Sequence, residues 1–336
     1  MATIPHDAAE LAFLNRLPED IEYTGEFGPE LVLALPFFTW LSQAGLLRSR
    51  RIVTYKGMRV FYEDLDCREI VEKDGKREYI HPRKRPAFLP RKNEHSFDGH
   101  GRSNLHVWPD LRARFQKFPL LPDICADGRP LLIVHNKYCN EWNRGPINFM
   151  SVELLRSIFQ SLSPHFTIVY IRHGMKPVEG YVEDENQLME LDDRPLIEQS
   201  DNVWLFDDLY DEHKRRGGDQ DLNTFKNVLY SRCHHFISSQ GGGAHQIALY
   251  SGSLMTVLHR KGSEEKWAYS EGYYNFMARV PPILAVARND QDILSALPLY
   301  VGTTVLDDRT YLAFGAAAIL EQLSPKRMVP PPASET

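Results

Sequence analysis

Short apolar runs recur along the second half of the chain at roughly even spacing. They are LLIVH at 131–135, FTIVYI at 166–171, NVWLF at 202–206, HFISS at 235–239, LMTVL at 254–258 and ILAVA at 283–287. Runs of this length, with few polar interruptions, suit strands buried on both faces of a parallel sheet. Between them, NFMSVELLRSIFQSL, DLNTFKNVLYSRC and GAHQIALYSG repeat their apolar positions at helical spacing. Strand and helix in alternation predict a doubly wound parallel sheet. Another helix is expected at about 308–324, and the proline-rich end, 326–336, is expected to be disordered.

The first half opens in the same α/β manner. IEYTG reads as a strand, and a helix is predicted from Pro29 to about Ala44, since a first-turn proline gives up no hydrogen bond. RRIVTY and GMRVFY then read as two further strands. From Glu63 to Pro130 the pattern gives way to charge, proline and glycine. The predicted division is therefore an N-terminal α/β domain over 1–125, a Rossmann-like domain over 126–325 and a tail. The basic stretch RKRPAFLPRK at 83–92 reads as an exposed loop between domains or facing an acceptor.

Composition narrows the classes. Of 336 residues, 43% are hydrophobic, enough for substantial cores, and 39 basic against 45 acidic side chains leave a net charge of -6. That balance gives no global attraction to nucleic acid or to an anionic membrane, so any anion site must be local. The longest apolar stretch, LVLALPFFTWL at 31–41, is too short to span a bilayer, though it suits a buried helix or a peripheral membrane contact. Four cysteines at 67, 125, 139 and 233 form no C-x-x-C pair, and no signal-peptide pattern precedes them, which points to the cytoplasm.

Candidate chemistry gathers where predicted strands end. In HFISSQGGGAHQIALYSG, residues 235–252, bare backbone at Gly241, Gly242 and Gly243 opens a helix. Amides there can approach a phosphate closely, with Ser238, Ser239, Gln240 and His245 as further contacts; the alternative is a tight strand-to-helix turn and nothing more. The spacing is neither a dinucleotide fingerprint nor a P-loop. VHNKYCNEWNRGPINF at 134–149 supplies His135, Asn136, Lys137 and Glu141 beyond the preceding strand, and YIRHG supplies Arg172 and His173. YTGEFGPEL adds Glu26 and Glu30 on the N-terminal half, where a first-turn acid such as Glu30 can simply complement the helix end.

Two α/β halves, with GEFGPEL…LPFFTWL near the start, NKYCNEW opening the second half and FISSQGGGAHQIALYSG closing the donor loop, resemble a GT-B glycosyltransferase. The glycine segment is similar to the donor loop of fucosyltransferase-like enzymes and of bacterial and viral surface-glycan transferases. The resemblance implies a nucleotide-sugar donor held by the second half, a glycan or other hydroxyl-bearing acceptor held by the first, and no cofactor besides the donor. It also implies a metal-free mechanism, and DLD at 64–66 reads as a solvated turn, not a metal motif. Lys137, Arg172 and the 241–243 amides suit the departing diphosphate; Glu26, Glu141, His135 and His173 are the base candidates, Glu26 foremost. Three rivals stay open: an epimerase or hydrolase acting on nucleotide sugars, a non-catalytic binding module, and a metal hydrolase using Glu94, His95, Asp98, His100 and His106.

Overall fold

The computed structural model describes residues 17–23, 25–75, 77, 89, 105–121, 124–141, 144–172, 189–269 and 272–302. Within them the chain forms two parallel sheets. The first holds β1 (Asp20–Glu22), β2 (Arg51–Tyr55) and β3 (Glu69–Lys73) in that order. The second is six-stranded, built from β4 (Leu131–Asn136), β5 (Thr167–Arg172), β6 (Val203–Leu205), β7 (His235–Ser239), β8 (Leu254–Leu258) and β9 (Ile283–Ala287), in the order β6-β5-β4-β7-β8-β9. Every pairing in both is parallel. The molecule is thus the α/β protein with two Rossmann-like halves and a doubly wound C-terminal sheet that its strand pattern predicts.

In the first half the expected helix becomes α1 (Phe27–Pro29), a π turn over Glu30–Ala34 and α2 (Leu35–Gln43). Pro36 has no N–H to give the preceding turn, and the wider π turn takes up that mismatch. GMRVFY, expected as a strand, is instead the short helix α3 (Arg59–Tyr62). Val60, Phe61 and Tyr62 are all buried, whereas a strand would turn alternate side chains to opposite faces. The third strand is EIVEK, whose charged flanks mask it in the sequence. Only Ile70 of β3 is buried, as befits an edge strand blunted by charge.

The helices α5 (Val152–Leu162), α6 (Arg194–Glu198) and α10 (Asp290–Val301) cover one face of the large sheet around Leu132, Val134, Ile168 and Ile237. The other face, bearing Leu131, Ile133, Val169 and Phe236, shares one continuous core with α7 (Phe206–Arg215), α8 (Leu222–Arg232), α9 (Gly242–Ile247) and the N-terminal half. Between the halves runs α4 (Leu111–Phe115), packed on α8. Its buried Arg112 donates to the carbonyls of Ser251 at 2.6 Å, Ser231 at 2.7 Å and Cys233 at 2.9 Å. The helix expected at 308–324, the tail and most of the basic stretch 83–92 lie outside the described residues.

Candidate active site

From β4 the chain moves outward through β5 to β6, then returns to the other side of β4 to lay down β7, β8 and β9. The carboxyl ends of β4 and β7 therefore flank the point where the winding reverses, which is where open α/β sheets leave a crevice for ligands. Alternation along the strands sorts the residues at these ends. His135 and Ser238, paired in register, follow Ile133 and Phe236 onto the face toward the N-terminal half. Asn136 follows Val134 onto the opposite face. The two ends are tied by the Lys137 amide, which donates to Ser239 Oγ at 3.0 Å.

The glycines have unlike tasks. Gly241 has φ +152 and ψ -165, a backbone state that side chains exclude. A Cβ there would also come within 3.4 Å of Lys137 Nζ. Gly242 and Gly243 are bare for close approach: a Cβ on the first would lie 2.7 Å from Phe27 Cδ1, and one on the second would run into the His135 ring. Gly28 in α1 answers from the other side, 2.6 Å from His245 Cδ2 by the same construction. The bare turn is where the N-terminal half meets the large sheet.

Positive charge collects around this meeting point. Lys226, on the buried side of α8, is 4% exposed, and its ammonium lies 5.4 Å from the Phe27 ring centroid. Among the described residues no hydrogen bond or ion pair holds it. A desolvated cation over an aromatic face gains about 2 kcal/mol. Taking an ammonium out of water costs several kcal/mol even after relaxation, so the balance is unfavourable. Burial accordingly pushes the Lys226 ammonium down to about 8, only partly opposed by Asp221. His135 is held down at about 3, first by burial and then by the Lys226 and Lys137 ammoniums, so it is a neutral imidazole at pH 7.

On the β7 side, Gln240 Oε1 accepts from the Tyr269 hydroxyl, while its buried Nε2 makes no hydrogen bond among the described residues. His245 is lowered to about 4, chiefly by burial, and its Nδ1 lies 2.9 Å from the Tyr274 hydroxyl. Burial keeps that phenol protonated, so the pair is a neutral hydrogen bond.

Other expected residues serve the scaffold. Asn136 bonds Met150 through both its amide groups, at 3.0 and 2.9 Å, and reaches the Tyr170 hydroxyl at 3.2 Å. Arg172 stands on that same outer face and grips Asp193 with two bonds of 2.6 and 2.9 Å, so its charge is already matched away from the crevice. Glu141 staples its own loop, accepting from the amides of Ile147 at 3.1 Å and Asn148 at 2.8 Å, and from Lys137 Nζ at 2.8 Å. Both carboxylate oxygens are thus engaged within the loop, and the bond to Nζ aims Lys137. Glu30 is fully buried, bound by Thr54 at 2.5 Å, Tyr62 at 2.8 Å and Arg77 at 2.7 Å.

Glu26 is half-buried at the start of α1, next to the Phe27 that meets Gly242. His173 and, apart from His106, the histidine-rich segment lie outside the described residues. Among the described residues no cluster of three or more His, Cys, Asp or Glu is placed to hold a metal ion. No described helix is long and apolar enough to cross a membrane. Lys226 and Phe27 are the contributors that sequence reading misses. The available signal was a lysine inside the apolar stripe Leu222, Phe225, Leu229 of a helix.

No protein-family model matches the chain, and no curated protein sequence matches it. Among solved structures its fold is similar to that of ADP-heptose LPS heptosyltransferase II of E. coli, at 9% identity and a TM-score of 0.43, over 84% of this chain and 98% of that one. It is also similar to the wall teichoic acid polymerase TagF, at 9% identity and a TM-score of 0.28, over 63% of this chain and 41% of that one. Scores this low leave the functional reading to the chain's own residues.

Proposed function

We propose that the protein is a glycosyltransferase that moves a sugar from a nucleotide-sugar donor to a hydroxyl of a glycan or another acceptor, and that it does so without a metal. The observation that supports this is the winding reversal of the large sheet, where Lys137 borders the bare turn at Gly241 and Gly242 meets the N-terminal half at Phe27, the residue after Glu26. Breaking a glycosidic bond to a diphosphate builds negative charge on the leaving group. Lys137, aimed by Glu141, supplies a fixed positive charge beside it, with Ser238, Ser239, Gln240 and His245 lining the β7 side. Glu26, on the half assigned to the acceptor, removes the proton from the attacking hydroxyl. The four cysteines are free thiols, in keeping with a proposed cytoplasmic location.

A thermal-shift panel of UDP-, GDP-, ADP-, CMP- and dTDP-linked sugars tests donor recognition, because a ligand bound only by the folded form raises its stability. Stabilisation by one nucleotide class, followed by sugar transfer that persists in excess EDTA, is the expected result. Consumption of donor with no acceptor present identifies a hydrolase or epimerase instead, and stabilisation with no turnover identifies a binding module. In Glu26→Gln, turnover is expected to fall by roughly 10²-fold or more while donor affinity is kept. An unchanged rate removes Glu26 from the mechanism.

A further inference from the structure

Lys226 is the unresolved charge of this cleft. Its helix carries Leu222, Phe225, Val228 and Leu229 into the core, and no carboxylate or carbonyl among the described residues bonds its ammonium. The groups around it are the Phe27 ring at 5.4 Å, the His135 imidazole, which feels both Lys226 and Lys137, and Asp221 at the start of its own helix. The Phe27 ring is also what meets Gly242, while Lys137 borders Gly241 and His135 borders Gly243, so all of them gather on one glycine turn at the junction of the halves, with Lys226 reaching it through Phe27. An ammonium kept there without a matching anion disfavours folding, and an apolar residue of the same length would fill the space with less strain on the fold.

From this geometry we infer that Lys226 is an anion-binding residue of the cleft, holding one phosphoryl group of a diphosphate ester while Lys137 holds its neighbour, with Phe27 of the N-terminal half as the cover over both. Two ammoniums on different elements, β4's end and α8, match two linked phosphoryl groups better than a single carboxylate. His135, a neutral imidazole within the field of both ammoniums, adds no competing charge. Because Phe27 belongs to α1, occupation of the site bears directly on the contact between the halves. The inference rests on the donor site proposed above and names a residue for it.

Inorganic pyrophosphate is the probe, measured by calorimetry and by thermal shift on the full chain, with Lys226→Met, Lys226→Arg and the exposed control Lys117→Met beside the parent. The expected result is that Lys226→Met unfolds at a temperature equal to or above that of the ligand-free parent, yet binds pyrophosphate at least 10-fold more weakly and gains no stability from it. Lys226→Arg, which keeps the charge, is expected to bind within about threefold of the parent, and Lys117→Met to match it. Failure of Lys226→Met to fold overturns the inference, since it makes the ammonium a structural necessity. Equal pyrophosphate affinity in Lys226→Met overturns it too, while leaving the donor-site reading intact if nucleotide sugars still bind. A parent that binds neither pyrophosphate nor any nucleotide sugar defeats both.

Discussion

At the scale of single residues, the glycine turn shows how one sequence feature carries two demands. Gly241 answers a backbone requirement, and Gly242 answers a packing one, because Phe27 of the other half sits where a side chain would stand. Gly242→Ala is expected to cost about 2 kcal/mol of stability, the range seen when a packed contact is overfilled. The cost should shrink in a Phe27→Leu background, whose smaller side chain leaves room. A double-mutant cycle by urea denaturation reads that coupling, and additive costs would place the strain elsewhere.

Elements of the fold depend on groups that the local pattern does not mark as special. Helix α4 is five residues long and would not persist alone, yet it bridges the halves. Arg112 satisfies three carbonyls on the C-terminal side, and Arg114 reaches back to Glu63 at 2.9 Å and Asp64 at 2.9 Å on the N-terminal side. Arg112→Ala takes a charged donor from each of those buried carbonyls, of which Ser231 keeps a bond from Gln116 Nε2 at 3.2 Å, and about 3 kcal/mol of stability should be lost. Arg114→Ala, by contrast, removes ion pairs to exposed carboxylates and should change stability by under about 1 kcal/mol. Comparable losses in the two variants, measured by thermal unfolding, would mean that the bridge acts through helix packing and not through Arg112.

For the whole molecule, the buried bases set how stability follows pH. His135 and His245 have folded values near 3 and 4, both below the ordinary 6.5. Between pH 6.5 and about 4 the unfolded chain therefore binds more protons than the folded one, and stability falls as pH falls. Lys226, lowered from 10.5 to about 8, acts in the alkaline range: above pH 8 the folded form sheds a proton that the unfolded chain retains, so stability rises with pH. The full depression corresponds to about 3 kcal/mol. Urea midpoints should climb from pH 5 to 7 and again from pH 8 to 9.5, and Lys226→Met should abolish the second rise alone. A flat alkaline limb in the parent would show that the Lys226 ammonium has a compensating partner.

The strands of the large sheet were legible in the sequence because burial on both faces leaves an unbroken apolar run, and β7, β8 and β9 match their predicted spans to the residue. The glycine turn was legible for a similar reason, since three adjacent glycines have few local explanations. β3 and α3 were not. A charged edge strand looks like a loop, and a three-residue apolar run such as Val60–Phe61–Tyr62 suits either a strand or a turn of helix until its neighbours are known. Tertiary structure alone decided which charges are available. Arg172 and Lys137 look alike as basic residues at strand ends, but the parity of β5 turns Arg172 onto Asp193, on the far face of the sheet. Lys226 stands among the apolar positions of its helix, yet the sequence does not say what it faces, and the docking of the N-terminal half sets Phe27 over it. Whether a charge is solvated, matched or left in need of a ligand depends on contacts between residues far apart in the chain, and no local pattern records them.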